Sequence, residues 1–150
     1  MAVQTYYRER VEVYGGYIPL NHYDIPFYGC PVSAGFPSPA DDYVEPTLDL
    51  NDLLIQNPVA TFMVRASGDS MTPAGIFDGD VLVVDRSITA KAGRVVVAAI
   101  NGELTVKRVR YQGSTMFLDP DNKRYPPIEV TEFTDLTIWG VVTNVIHKMI

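Results

Sequence analysis

Cysteine is nearly missing from this chain. Cys30 is the one thiol in 150 residues, so no intramolecular disulfide framework can form, and the composition fits a reducing cytoplasm. Histidine is almost as scarce. With only His22 and His147 beside that cysteine, a structural zinc site is not expected, and nothing calls for another cofactor. No apolar run approaches the roughly 20 residues a membrane helix requires. The opening stretch MAVQTYYRERVEVYGGYIPL carries charges and no apolar block, so a secretory leader is not expected either. Positive charge is also in short supply. Twelve Lys and Arg stand against 18 Asp and Glu, a formal net charge of −6, which argues against a dominant phosphate-binding surface. The strings GxGxxG, GxxxxGK[ST], HExxH and GxSxG are all absent, excluding the usual signatures of dinucleotide, P-loop, zincin and α/β-hydrolase chemistry.

What is present divides near residue 35. Residues 1–34 hold six of the nine tyrosines and show no sustained helical or strand period. Pro19, Pro26, Pro31, Pro37 and Pro39 punctuate the stretch from Pro19 to Asp42. Proline fixes φ and removes an amide donor, so this stretch is neither helix nor central strand. Residues 1 to about 47 read as an extended arm, with VEVYG (11–15) as a possible short strand. The tyrosines are expected to pack the arm onto a folded body.

The body begins at Leu48. LDLNDLLIQ has leucines at helical spacing, with Asp49 or Asn51 as a possible N-cap and Pro58 soon after, which predicts one short helix. Beyond it the pattern is strand-like: VATFMVRA (59–66), DVLVVD (80–85), RVVVAAI (94–100), ELTVKRVRY (103–111), STMFLD (114–119) and LTIWGVVTNVIHKM (136–149). Asn101-Gly102 between two such runs predicts a two-residue type I′ hairpin. The fold class is mostly β, a small sheet assembly or partly open barrel with one helix behind an extended N-terminal arm.

Few residues can carry chemistry. A Ser-His-Asp triad would need His22 or His147, and neither has a motif around it. The acid pairs Asp41-Asp42 and Asp78-Gly79-Asp80 read as solvated turn acids. One constellation survives. Ser67-Gly68-Asp69-Ser70-Met71 directly follows a strand. It is either a plain turn or a loop presenting a hydroxyl beside backbone amides. Running the Asn101-Gly102 hairpin outward sets Ile100 opposite Glu103, Ala98 opposite Thr105 and Val96 opposite Lys107. Lys107 then shares a face with Val96, Ala98, Thr105 and Val109. It is either an edge residue reaching to water or a buried amine. Burial favours the neutral form, and a neutral amine can accept a serine proton.

The motifs Gly35-Phe36-Pro37-Ser38-Pro39-Ala40, Leu48-Asp49-Leu50-Asn51, Ala66-Ser67-Gly68-Asp69-Ser70-Met71, Asp78-Gly79-Asp80, Leu104-Thr105-Val106-Lys107-Arg108 and Trp139-Gly140-Val141-Val142 occur in order. Together they resemble UmuD-type proteins of the LexA/UmuD family of self-cleaving Ser/Lys peptidases, over roughly residues 34–147. The resemblance implies the LexA-type C-terminal β-structure. It implies Ser70 as nucleophile, Lys107 as general base 37 positions later, and the amides of Asp69 and Ser70 as oxyanion hole. It implies Ala34-Gly35 as the scissile peptide; Cys30, four residues upstream, is not the cleavage residue. Residues 1–34 would be removed, 35–47 would be an extended linker, and 48–150 the peptidase domain. By the same resemblance the chain acts in the SOS damage response. Its activator is the RecA–single-stranded DNA filament. Its processed form, residues 35–150, is a dimer that serves a UmuC-type translesion polymerase, and Ile138 to Ile146 is apolar enough to contribute to a homodimer.

Small side chains at Ala34 and Gly35 suit entry of the backbone into a narrow cleft. A tethered substrate has a high effective concentration without a general protease pocket. Residues 1–34 carry Arg8 and Arg10 against Glu9, Glu12 and Asp24, with no recognition helix, which argues against a LexA-type repressor and against direct sequence-specific DNA binding. The competing reading is a LexA-fold binding module with a vestigial site, or a short repressor-type regulator.

Overall fold

The computed structural model describes residues 25–29, 32–37, 44–45 and 47–150. Cys30, the VEVYG segment and the tyrosines before Tyr28 lie outside the described residues. The chain forms two compact units, residues 1–56 and 57–150.

In the first unit, β1 (Phe27–Tyr28) pairs antiparallel with β2 (Val44–Glu45) in a two-residue ladder. The helix α1 spans Leu50–Leu54. Of the two possible caps, Asp49 takes the position: its side chain accepts a hydrogen bond from the Asn51 amide at 2.8 Å. The Ala34–Gly35 peptide sits in an exposed bend over residues 34–36, where the Gly35 amide donates to Ser33 Oγ.

The second unit is one open antiparallel sheet of seven strands in the order β3-β4-β9-β5-β6-β7-β8. The strands are β3 (Thr61–Arg65), β4 (Val81–Asp85), β5 (Val95–Ile100), β6 (Glu103–Gln112), β7 (Thr115–Asp119), β8 (Ile128–Glu129) and β9 (Leu136–Ile146). Among the described residues the chain is mostly β with one short α-helix, the expected class. Val95, Val96 and Val97 show why these runs fold as strands: β-branched side chains pack well on a pleated surface. Alternation then divides the core. Val97 packs with Leu82, Val84, Met71 and Ile76, whereas its neighbours Val96 and Ala98 pack with Val109, Leu118 and Val141.

The β5–β6 hairpin follows the expected register, with Ile100 opposite Glu103, Ala98 opposite Thr105 and Val96 opposite Lys107. Its turn has φ of 48° at Asn101 and 84° at Gly102, the positive pair that a type I′ turn requires. Gly140 answers a different need. A Cβ there would lie 2.8 Å from the Asp85 carbonyl oxygen and 2.8 Å from Val84 Cγ1. It stands opposite Val97 of β5, and the ladders of β9 shift register at Val83/Val84 and at Val97/Ala98. Only a residue without a side chain lets β4 and β9 close here.

Candidate active site

Ser70 lies in the turn between β3 and a single 3-10 turn, Thr72–Ala74. The turn leaves β3 through backbone bonds rather than side-chain packing. The Ala66 amide donates to the Asp80 carbonyl at 2.8 Å, and the Gly79 amide returns a bond to the Ala66 carbonyl at 2.9 Å. Asp78 Oδ1 accepts from the Gly68 amide at 2.8 Å. Next to the serine, Met71 is buried in the core. From the other side the loop after β7 grips the same turn. The Asn122 amide donates to the Ser70 carbonyl at 2.9 Å, Asn122 Nδ2 donates to the Asp69 carbonyl at 3.1 Å, and the Tyr125 hydroxyl donates to Asp69 Oδ1. That carboxylate holds the Tyr125 phenol above its ordinary range. Neither the Asp69 amide nor the Ser70 amide donates to an acceptor among the described residues.

Lys107 comes from the middle of β6 and is buried, with 9% of its surface exposed. Its Nζ lies 3.4 Å from Ser70 Oγ, 2.7 Å from Thr105 Oγ1 and 3.0 Å from the Val106 carbonyl oxygen. Three acceptors match the three N–H groups of an ammonium. Desolvation nonetheless pushes its pKa below the ordinary lysine value, because burial disfavours the charged form. Once the proton is lost, two N–H groups remain for Thr105 and Val106. The lone pair is then free to face the serine hydroxyl. The edge-lysine alternative is thereby set aside: the amine is buried, and its partners are in the protein.

A cavity of about 180 Å³ opens beside this pair. It is lined on the turn side by Ser67, Gly68 and Ser70, and on the sheet side by Val97, Thr105 and Val106. No cluster of His, Cys, Asp or Glu among the described residues could hold a metal ion.

One expectation needs correction. Asp78 is exposed, but Asp80 is not a solvated turn acid: it is buried, with 3% of its surface exposed. Asp80 Oδ2 accepts from the Phe77 amide at 2.8 Å, and Oδ1 lies 2.6 Å from His147 Nδ1. The Phe77 hydrogen bond, followed by His147, holds the Asp80 carboxyl below its usual range. His147, one residue past β9, therefore braces the turn that supports Ala66 and is not the base of a triad. Sequence reasoning also missed Asn122. A lone asparagine in a polar loop carries no periodic signal, and its role appears only once residues 53 positions apart are brought together.

The Peptidase S24-like family model matches residues 26–143. The chain belongs to that family. Among its relatives, Protein MucA of Salmonella typhimurium is 46% identical over 123 residues, which is 81% of this chain and 84% of that protein. Protein SamA of Salmonella typhimurium is 49% identical over 119 residues, 79% and 81% of the two chains. The LexA repressor of Pseudomonas chlororaphis is 40% identical over 118 residues, 78% of this chain but 58% of the repressor. The chain is thus a UmuD-type S24 protein, of the SOS mutagenesis class, and its activity class is that of a self-cleaving serine peptidase. No helix among the described residues is long and apolar enough to cross a membrane.

Proposed function

We propose that the chain cuts its own Ala34–Gly35 peptide, with Ser70 as nucleophile and Lys107 as general base. The observation that carries this reading is the buried Lys107 amine 3.4 Å from Ser70 Oγ. Neutral Lys107 takes the hydroxyl proton as Oγ attacks the Ala34 carbonyl carbon. The amides of Asp69 and Ser70, without protein acceptors among the described residues, receive the developing oxyanion. The Lys107 ammonium returns the proton to the Gly35 nitrogen, and the C–N bond breaks. Water then attacks the Ser70 ester, giving one proton to Lys107, which passes it to Ser70 Oγ as the ester opens; the other leaves to solvent as the new Ala34 carboxyl ionises. One water is consumed, and the products are residues 1–34 and 35–150.

On this reading residues 35–150 are the working form. They act as a homodimer in the cytoplasm and serve as accessory subunit to a UmuC-type translesion polymerase. A RecA–single-stranded DNA filament activates the cut by favouring the conformer in which the arm is docked. Likeness to Protein MucA and Protein SamA supports this role, and the acidic balance of the chain supports contact with proteins in preference to bare DNA. The deciding experiment is overnight incubation of purified chain at mildly alkaline pH, followed by intact-mass measurement beside Ser70→Ala. Cleavage between residues 34 and 35 in the wild type alone is the expected result. A wild type that stays as intact as the variant sinks the peptidase reading.

A further inference from the structure

We propose that Asn122 is a positioning residue for Ser70, an inference that rests on the reading of Ser70 as nucleophile. The peptide planes on either side of the Ser70 Cα determine where its Cα–Cβ bond, and hence its hydroxyl, is aimed. Both are held by one residue. The carbonyl of the 69–70 peptide accepts from Asn122 Nδ2 at 3.1 Å. The carbonyl of the 70–71 peptide accepts from the Asn122 backbone amide at 2.9 Å. No described peptide is cis, and in a trans peptide the N–H points opposite to the C=O. Drawing the Asp69 carbonyl toward Asn122 therefore turns the Ser70 N–H away from it. Ser67, Gly68 and Ser70 line the cavity and Asn122 does not, so Asn122 stands behind the turn and aims it.

The Asn122 side chain works at both ends. Oδ1 accepts from the Arg124 amide at 3.1 Å, which shapes the loop and so places the Asn122 amide. The loop is tied in turn to the strand of the base. Arg108, the residue after Lys107, makes a two-point ion pair with Asp121 at 2.9 and 2.6 Å. Base and nucleophile turn are thus referenced to one strand. The Asp69 carbonyl has a second holder, Thr72, whose amide and hydroxyl donate at 3.4 and 3.2 Å. Loss of the Asn122 donor should therefore misaim the turn without collapsing it.

This separates aiming from loop folding. Asn122→Asp keeps an oxygen for the Arg124 amide but replaces the donor with an acceptor facing the Asp69 carbonyl. Asn122→Ala removes both. Full-length wild type and both variants are followed by intact mass from pH 7 up to the alkaline plateau of the rate, with melting temperatures alongside. Reading the plateau keeps any change in Lys107 titration out of the comparison. Both variants are expected to cleave about tenfold or more slowly at the plateau, the effect of one lost hydrogen bond in the transition state. The midpoint of the Asn122→Ala profile should match wild type. Asn122→Asp cleaving at the wild-type plateau overturns the inference, even if Asn122→Ala is slow, because that pattern belongs to loop folding alone. In that case the reading of Ser70 stands, whereas an inert wild type overturns both.

Discussion

Thr105 Oγ1 lies 2.7 Å from Lys107 Nζ, nearer than Ser70 Oγ at 3.4 Å. The amine is thus anchored first by its own strand and only then by the serine. Side chains two apart on a strand share a face, so β6 alone supplies both the amine and its anchor. Thr105→Val keeps the shape and removes the hydroxyl. It is expected to slow self-cleavage by about tenfold, the cost of one lost positioning bond, while the chain stays folded. Mass spectrometry of timed incubations with a parallel melting curve checks both halves.

Cleavage should accelerate as pH rises. Lys107 has to be neutral to act, and burial sets its pKa below 10.5, so the rate climbs through that lowered value and then levels off below the ordinary lysine range. Lys107→Arg should be inactive at every pH, because a guanidinium stays protonated. A pH profile of the initial rate is the measurement, and a flat line from pH 7 to 10 would mean that Lys107 is not the base or is already neutral throughout that range.

The same burial has a signature in stability. Between the folded value and 10.5 the unfolded chain binds the proton that the folded chain has lost, so stability rises with pH across that window. Below the window the folded protein carries the full cost of a buried charge. Lys107→Met should therefore melt higher than wild type near pH 7 and lose that advantage as pH approaches 10. Calorimetry at several pH values tests the sign.

Asp80 works in the opposite sense. Its folded carboxyl sits below 3.8, so the stability it contributes is present above that value and lost as pH falls through the lowered one. His147→Ala removes one of its partners. The variant should keep its fold at pH 7 and unfold at a higher pH than wild type during acid titration, as followed by circular dichroism.

Gly140→Ala probes the closure of β4 onto β9. The added methyl would meet backbone at 2.8 Å, so the strands must part. A loss of about 1–3 kcal/mol is expected from overpacking, read as a lower urea midpoint.

The strands and the hairpin register could be read from the chain because their signals are local. Asn101-Gly102 sets the turn, and period-two counting from it carries Lys107 to Val96. Ser70 and Lys107 were singled out by residue type and by family likeness, and the fold brings the two side chains together. Asp80 and Asn122 escaped because their roles depend on partners 67 and 53 positions away, a separation over which no periodicity speaks. The strand β8 was missed for a simpler reason: two residues after Pro126-Pro127 hold no pattern. Gly140 was visible as a motif member, but its cause is a neighbouring strand's backbone.

Ser70, Lys107, Thr105, Asn122 and Asp80 all belong to residues 57–150. Severing the chain after Ala34 takes none of them away. On the proposed reading the shortened molecule would keep every group that made the cut, so the reaction would spend its target and leave its tool intact. Restraint after such a cut would then have to come from the scarcity of suitable chain ends and loops in its surroundings, because the cut itself would not disarm the protein.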